Sequence, residues 1–314
     1  SGGAPLAVNL DRFEDSGQGG QPYPAGDSQH VAVYGDGGAV TFHVPALTLG
    51  QDYYFFLTGL VASSPAADDA FTLVPVGTGG DIDLLAPDPR DLRVVHVAPD
   101  AAPVRAYVVQ GIGAGLEYVQ LQSGPLDYLE TTPYGQPAYR DLFVELYPVA
   151  VDPTQANPIV RKQVHLADEP SSLTVFAAGL ATSADPADQL RLLDVPDEFA
   201  DAGAGNHAVR FLHASPDVGS LSVDVADDGS DEAVLERFTV GPATSLAFAA
   251  QTAVTIVARR SGTQSAVFDL PATYTEGRDR YLVFTGLWGS TPVFTMLSLD
   301  PTSATEVPYT GFTP

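Results

Sequence analysis

The chain of 314 residues carries 39 acidic side chains against 14 basic ones, a net charge of −25, and no cysteine. Such a surface repels phosphate backbones and anionic headgroups, which argues against nucleic acid as a partner, and the missing thiols exclude disulfide staples and thiol nucleophiles. No run reaches the roughly 18 apolar residues of a membrane helix, which argues against membrane insertion, and no basic-then-apolar leader is present.

In chain order the predicted elements are almost all strands: short runs rich in Val, Phe, Tyr, Leu and Thr, divided by Gly, Pro, Asp and Ser clusters. The opening Ser1-Gly-Gly-Ala-Pro5 is the small, flexible kind of segment that follows a removed leader or a lipid-modified cysteine, and equally the kind left at a trimmed boundary. His30 to Val44 reads as a hairpin, because Asp36-Gly37 supplies the positive φ angles of a tight primed turn. Tyr53, Tyr54, Phe55 and Phe56 run consecutively, so two of them face away from any one core. Leu85-Ala-Pro-Asp-Pro-Arg90 is an extended linker, since two prolines prevent regular ladder pairing. Leu142, Val144 and Leu146 alternate with Asp141, Phe143 and Glu145, and Val254, Ile256 and Ala258 with Thr255, Val257 and Arg259. A period of two predicts sheets with one face inward. Phe199 to Asn206 is a second, flexible boundary, and Pro301 to Pro314 an apolar-flecked tail.

Two stretches nearly repeat each other: Leu92-Arg-Val-Val-His-Val-Ala-Pro-Asp100 and Ala208-Val-Arg-Phe-Leu-His-Ala-Ser-Pro-Asp217, each closed by His-x-x-Pro-Asp. Downstream of each lies an echo, Val175-Phe-Ala-Ala-Gly-Leu180 and Leu282-Val-Phe-Thr-Gly-Leu287, which occurs a third time as Phe55-Phe-Leu-Thr-Gly-Leu60. The three Gly-Leu pairs stand 120 and 107 residues apart, the size of one sandwich with its own core. The expected organisation is a reduced or divergent sandwich at 1–86, full modules at 87–202 and 203–300, and a tail or extra strand at 301–314. The two full modules are expected to superpose, His96 on His213 and Phe176 on Phe284. The first lacks the leading His-x-x-Pro-Asp strand pair, so its open edge needs a strand from elsewhere, with Thr305 to Phe312 the leading candidate in cis or from a second molecule.

The His-Ala-Ser-Pro-Asp run of the second copy, and the matching Arg93 to Pro103, resemble the secreted prokaryotic domain of unknown function 4397. What the resemblance implies is a tandem β-sandwich module on exported or surface-anchored proteins, with no catalytic residues to carry over. The fold class expected is all-β, as tandem immunoglobulin-like antiparallel sandwiches.

Six polar or turn residues recur as a structural motif: His96, Pro99 and Asp100, with His213, Pro216 and Asp217. A histidine beside a carboxylate is either a metal half-site or acid–base pair, or a strand-end cap bonded to the Pro-Asp turn; the second reading is favoured because no companion ligand recurs. Asp224, Asp227, Asp228, Asp231 and Glu232 form the densest carboxylate loop and are a weak calcium candidate, weak because the EF-hand spacing fails. Gly111 to Gly115 is a loop rather than a phosphate cradle, and Gly-x-Ser-x-Gly and His-Glu-x-x-His do not occur. Arg259-Arg260 reads as a strand end solvated against neighbouring acids. Trp288, in a loop, is either part of an aromatic sugar platform or an inter-domain packing residue.

The expectation is therefore a non-enzymatic, secreted or cell-surface structural or adhesive repeat protein without cofactor. Other copies of itself or other surface components are its expected partners, in an extracellular filament as one form. The alternative is a surface module binding a carbohydrate (glycan) or another ligand.

Overall fold

The strand signals are strands in the structure, and no helix occurs among the described residues. The structure, a computed structural model, describes residues 29–35, 38–44, 53–58, 72–77, 306–309 and most of 90–300, the breaks there being 111–115, 138–140, 167–170, 200, 226, 242–245, 250–252, 261–263 and 271–278. The Gly111 to Gly115 loop and most of the first linker thus lie outside the described residues.

The first segment contains two antiparallel hairpins. β1 (Gln29–Gly35) pairs with β2 (Gly38–Val44), Gly35 opposite Gly38, so the ladder closes across two residues. β3 (Tyr53–Thr58) pairs with β4 (Thr72–Gly77), Phe56 opposite Val74.

The next segment runs β5 (Arg90–His96), β6 (Val104–Gln110), β7 (Glu117–Gln120), β8 (Asp141–Pro148), β9 (Val160–His165), β10 (Ser171–Ala178) and β11 (Arg191–Pro196). These strands form two sheets, β11-β10-β5 and β7-β6-β8-β9. Their facing sides bury Leu92, Val94, Val108, Leu142, Val144, Leu146 and Val175 in one core.

The last segment contains β12 (Asn206–His213), β13 (Ser220–Val225), β14 (Ala233–Glu236), β15 (Thr239–Val240), β16 (Leu246–Ala249), β17 (Val254–Arg260), β18 (Gln264–Leu270), β19 (Arg280–Thr285), β20 (Thr295–Leu299) and β21 (Glu306–Tyr309). Strand order repeats: β20-β19-β12 stands for β11-β10-β5, and β14-β13-β17-β18 for β7-β6-β8-β9. Its core holds Phe211, Leu221, Val223, Ile256, Phe268, Phe284 and Phe294.

Three expectations need correction. The sheets are not purely antiparallel, because β5 pairs parallel with β10, and β12 with β19. Between the two partners the chain crosses through the whole opposite sheet, the long excursion that parallel pairing requires. The match of Phe176 to Phe284 is off by one. His96 stands opposite Ala177 and His213 opposite Phe284, so Ala177 is the counterpart of Phe284, and Phe176 that of Val283. A one-residue slip reverses the face: Phe284 enters its own module's core, whereas Phe176 points to the other side of its sheet. The tail strand, finally, extends the last module's sheet within the chain rather than the first segment's. Glu306–Tyr309 pairs antiparallel with β20 in its own chain, the nearest edge within reach of a short connection.

The modules are also not strung as separate beads. Val95, Val97, Phe176, Ala178 and Val195 from one side form a single buried cluster with Leu212, Ala214, Tyr281, Val283, Leu297 and Leu299 from the other. The sheets β11-β10-β5 and β20-β19-β12 therefore pack back to back, giving four layers in which the two inner sheets are buried on both faces. Doubly buried strands read as continuous apolar runs. Val94-Val95 and Phe211-Leu212 are such runs, one residue of each pair entering its own module's core and the next the shared cluster.

Polar groups tie this seam reciprocally. Arg93 and Arg210 occupy the same repeat position, three residues before His96 and His213. Arg93 Nη1 donates to the Asp300 carbonyl at 2.8 Å, and Arg210 Nη1 to the Pro196 carbonyl at 2.8 Å, each reaching into the other module. Tyr281 Oη donates to the Pro196 carbonyl at 2.9 Å, and Thr285 Oγ1 to the Val97 carbonyl at 2.7 Å. Arg237 pairs with Asp188 across the same seam, and the Arg191 guanidinium lies 4.5 Å from the centre of the Phe238 ring.

Candidate functional site

The repeated residues converge on one junction in each module. Gly179 has φ +99° and Gly286 φ +85°, a region that side-chain-bearing residues rarely adopt. A Cβ on Gly179 would lie 2.5 Å from the Gln189 carbonyl oxygen, and on Gly286 2.3 Å from that of Val293. Both glycines are thus fixed by backbone crowding. The leucine after each one donates its N–H across the resulting arch, Leu180 to the Asp188 carbonyl at 2.7 Å and Leu287 to that of Pro292 at 2.8 Å.

Asp100 and Asp217 reach the far side of the same arches. An Asp100 carboxylate oxygen accepts from the Ala181 N–H at 2.7 Å, and one of Asp217 from the Trp288 N–H at 2.8 Å. Ala181 and Trp288 are the residues directly after the two Gly-Leu pairs. The His-x-x-Pro-Asp turn and the Gly-Leu strand end recur together because the first holds the second through a charge-assisted hydrogen bond. In the last module Ser215 adds a bond, its Oγ donating to the Gly286 carbonyl at 2.8 Å.

Both motif histidines point toward their own module's core and are buried. His213 Nε2 lies 3.0 Å from the Val218 carbonyl, just beyond the Pro-Asp turn, so it carries the proton and donates. Nδ1 has no hydrogen-bond partner. Burial pushes the His213 imidazole from 6.5 down to about 4, with the nearby Arg237 charge acting in the same direction against the Val218 bond. His96 is lowered too, chiefly by burial; its Nδ1 accepts from the Ala98 N–H at 3.3 Å, and its ring meets Tyr128 edge-on at 6.3 Å. Pro99 and Pro216 occupy the turns between these histidines and aspartates. Among the described residues no hydrogen bond joins a carboxylate to either ring; each motif aspartate bonds its arch instead.

The acidic loop is drawn together around a guanidinium. Carboxylate oxygens of Asp224, Asp228 and Glu232 lie within 4.8 Å of one another. Arg259 Nη2 donates to Asp224 at 2.7 Å and to Asp227 at 3.3 Å, and Nη1 to Asp231 at 3.3 Å. Asp224 is wholly buried; burial acts to raise its pKa but is outweighed by the Arg259 bond and charge and the N–H groups of Gly229 and Asp228, which hold it low. Glu232 accepts from the Val225 N–H at 2.6 Å. Arg259 thus bonds three of the five carboxylates of the weak calcium candidate, Asp224, Asp227 and Asp231, and is an ion-pair centre. At the corresponding register positions the preceding module carries Tyr107 and Tyr147, packed edge to face at 5.7 Å, so the acidic cluster belongs to one module alone.

Trp288 is partly buried and packs against its own module's core, its ring 4.8 Å from Phe294, rather than between modules. Tyr54 and Phe56 do the opposite. They stack at 6.5 Å on one face of β3 and are 63% and 55% exposed.

Sequence reasoning missed the seam arginines. The shared Arg three residues before each histidine was the available signal, and a charged residue inside an otherwise apolar run marks a buried polar tie.

Residues 90–226 match the family model described as Domain of unknown function (DUF4397). This segment is a DUF4397 domain. The match takes in both His-x-x-Pro-Asp motifs and ends just past β13, so the DUF4397 segment spans the seam between the two inner sheets. No curated protein matches the chain.

Proposed function

We propose that the chain is a non-enzymatic structural or adhesive protein of the cell exterior, whose repeats build a stiff layered body. One observation carries this reading: the polar residues that recur between modules serve the fold. Asp100 and Asp217 hold the Gly-Leu arches, His213 bonds the turn beside it, and Arg93 and Arg210 bond carbonyls across the seam. The strongly acidic surface keeps such a body soluble and away from anionic polymers. Other copies of the chain or other surface components are its partners.

Imaging of the purified chain, with glycan-array binding and hydrolase assays on the same preparation, tests the proposal. Ordered assemblies with flat binding and turnover are expected. Turnover, or stoichiometric glycan binding without assembly, would overturn it. The glycan reading keeps one specific support, the stacked and exposed Tyr54 and Phe56.

A further inference from the structure

The seam between the two inner sheets is a contact of one repeat with another through the same face. In β10 that face carries Thr174, Phe176 and Ala178, and in β19 the counterparts Tyr281, Val283 and Thr285. All six are buried, and the Phe176 ring meets the Tyr281 ring edge-on at 5.7 Å.

β3 is a third copy of this strand. Aligned on the Gly-Leu pair that follows each, Tyr54, Phe56 and Thr58 take the positions of that face. The neighbouring strand agrees: Val74 stands opposite Phe56 as Leu193 does opposite Phe176, and Val76 opposite Tyr54 as Val195 does opposite Thr174. Leu193 and Val195 belong to the buried seam, whereas Tyr54 and Phe56 are 63% and 55% exposed. Two repeats cover each other, and the third presents the same face to solvent.

The residue choice makes that face self-complementary. Phe56 stands where Phe176 stands and Tyr54 where Tyr281 stands, so a single β3 carries both halves of the ring contact that elsewhere joins two modules. Two such faces related by a two-fold axis place Phe56 of each copy against Tyr54 of the other, and a contact of this isologous kind closes as a dimer. The described residues of this face, Tyr54, Phe56, Thr58, Val74 and Val76, carry no charge, so they can meet across a two-fold axis without apposing carboxylates of their own. We propose that the β3–β4 face is a homodimer interface whose occupant is the same face of a second copy, repeating between molecules the back-to-back packing seen within one. This rests on the reading of the chain as a structural repeat protein.

Sedimentation equilibrium of the full chain, in wild-type form and as the double variant Tyr54→Asp, Phe56→Asp, tests it. Both side chains are exposed, so the substitutions leave the cores alone; unchanged Trp288 emission and unchanged hydrogen exchange in β3 and β4 verify this. The expected result is a concentration-dependent dimer for the wild type and at least a tenfold weaker association for the variant. A wild type that remains monomeric, a variant that dimerises equally well, or a wild-type monomer that uses Tyr54 and Phe56 to hold a neutral oligosaccharide each overturns the dimer. Assembly that the double variant leaves undiminished, and that therefore runs through other surfaces, would end this proposal and leave the structural reading standing, whereas turnover would end that reading alone.

Discussion

Acidification should destabilise the paired modules through His213. The imidazole is neutral in the fold, with Nε2–H on the Val218 carbonyl and a buried Nδ1 that faces no partner. Its folded pKa is depressed from 6.5 to about 4, so above pH 6.5 neither state binds the proton and its contribution is fully present. As pH falls through 6.5 the unfolded chain takes up a proton that the folded chain refuses, and stability is lost progressively until the folded pKa near 4, below which this group adds no further slope. A gap of that size corresponds to about 3 kcal/mol, or roughly 6 to 12 °C in melting temperature for a cooperative unit of this size. His213→Gln keeps a donor for the Val218 carbonyl but cannot titrate. Denaturant unfolding of both proteins from pH 7.5 to 4, followed by Trp288 emission, should give a wild-type curve about 3 kcal/mol steeper over that window. Parallel curves would refute the reasoning, because the proton would then be costing the fold nothing. Burial lowers His96 as well, so the double variant should be flatter still.

Four further outcomes are expected. Gly286→Ala should destabilise by several kcal/mol, because strain at positive φ is joined by a collision with the Val293 carbonyl, whereas Gly289→Ala, also at positive φ but with open space around it, should cost only about 1 kcal/mol in thermal or denaturant unfolding. Phe176→Ala should cost about 3 to 5 kcal/mol and, in hydrogen exchange, lower protection in β10 and β19 together, since the seam is common to both modules. Asp217→Ala should cost about 1 kcal/mol and shift Trp288 emission to the red as its arch loosens, an effect absent from Asp100→Ala. Melting temperature should rise between low and molar sodium chloride, because ions screen the repulsion among 39 acidic and 14 basic side chains over roughly 10 Å at 0.1 M; a flat or falling trend would contradict it.

What the sequence disclosed, and what it hid, follows from which interactions are local. The hairpin of β1 and β2 was legible because its two strands are close in sequence, Gln29–Gly35 facing Gly38–Val44, although the expected Asp36-Gly37 turn itself lies outside the described residues. β8 and β17 were legible because an outer sheet imposes alternation on single strands. The parallel partners β5 and β10 lie some 80 residues apart, and nothing in either run states which partner it takes or in what direction. The seam stayed hidden for the same reason. Its apolar residues were visible, but Val95 and Phe176 look like core residues whichever layer covers them. At the candidate site, composition located the carboxylates of the acidic loop and the Arg259-Arg260 pair yet could not bring Arg259 into the loop, because that contact spans β13 and β17.

Comparing equivalent positions separates what the repeat needs from what one module has acquired. The Gly-Leu arch, the aspartate that holds it and the arginine that crosses the seam are the same in both full modules, and each is tied to backbone atoms. Backbone partners do not mutate, so these contacts survive wide changes in the surrounding side chains. On the outer sheets the partners are side chains, and there the modules differ: Tyr107 with Tyr147 in one, Asp224 with Arg259 in the other. On the aromatic face Tyr147 also donates to Glu145, which pairs with Arg161, so each outer face carries its own side-chain network while the inner contacts repeat. The inner face is therefore the property shared by the array, and β3 carries the one copy of it that the chain leaves exposed among the described residues.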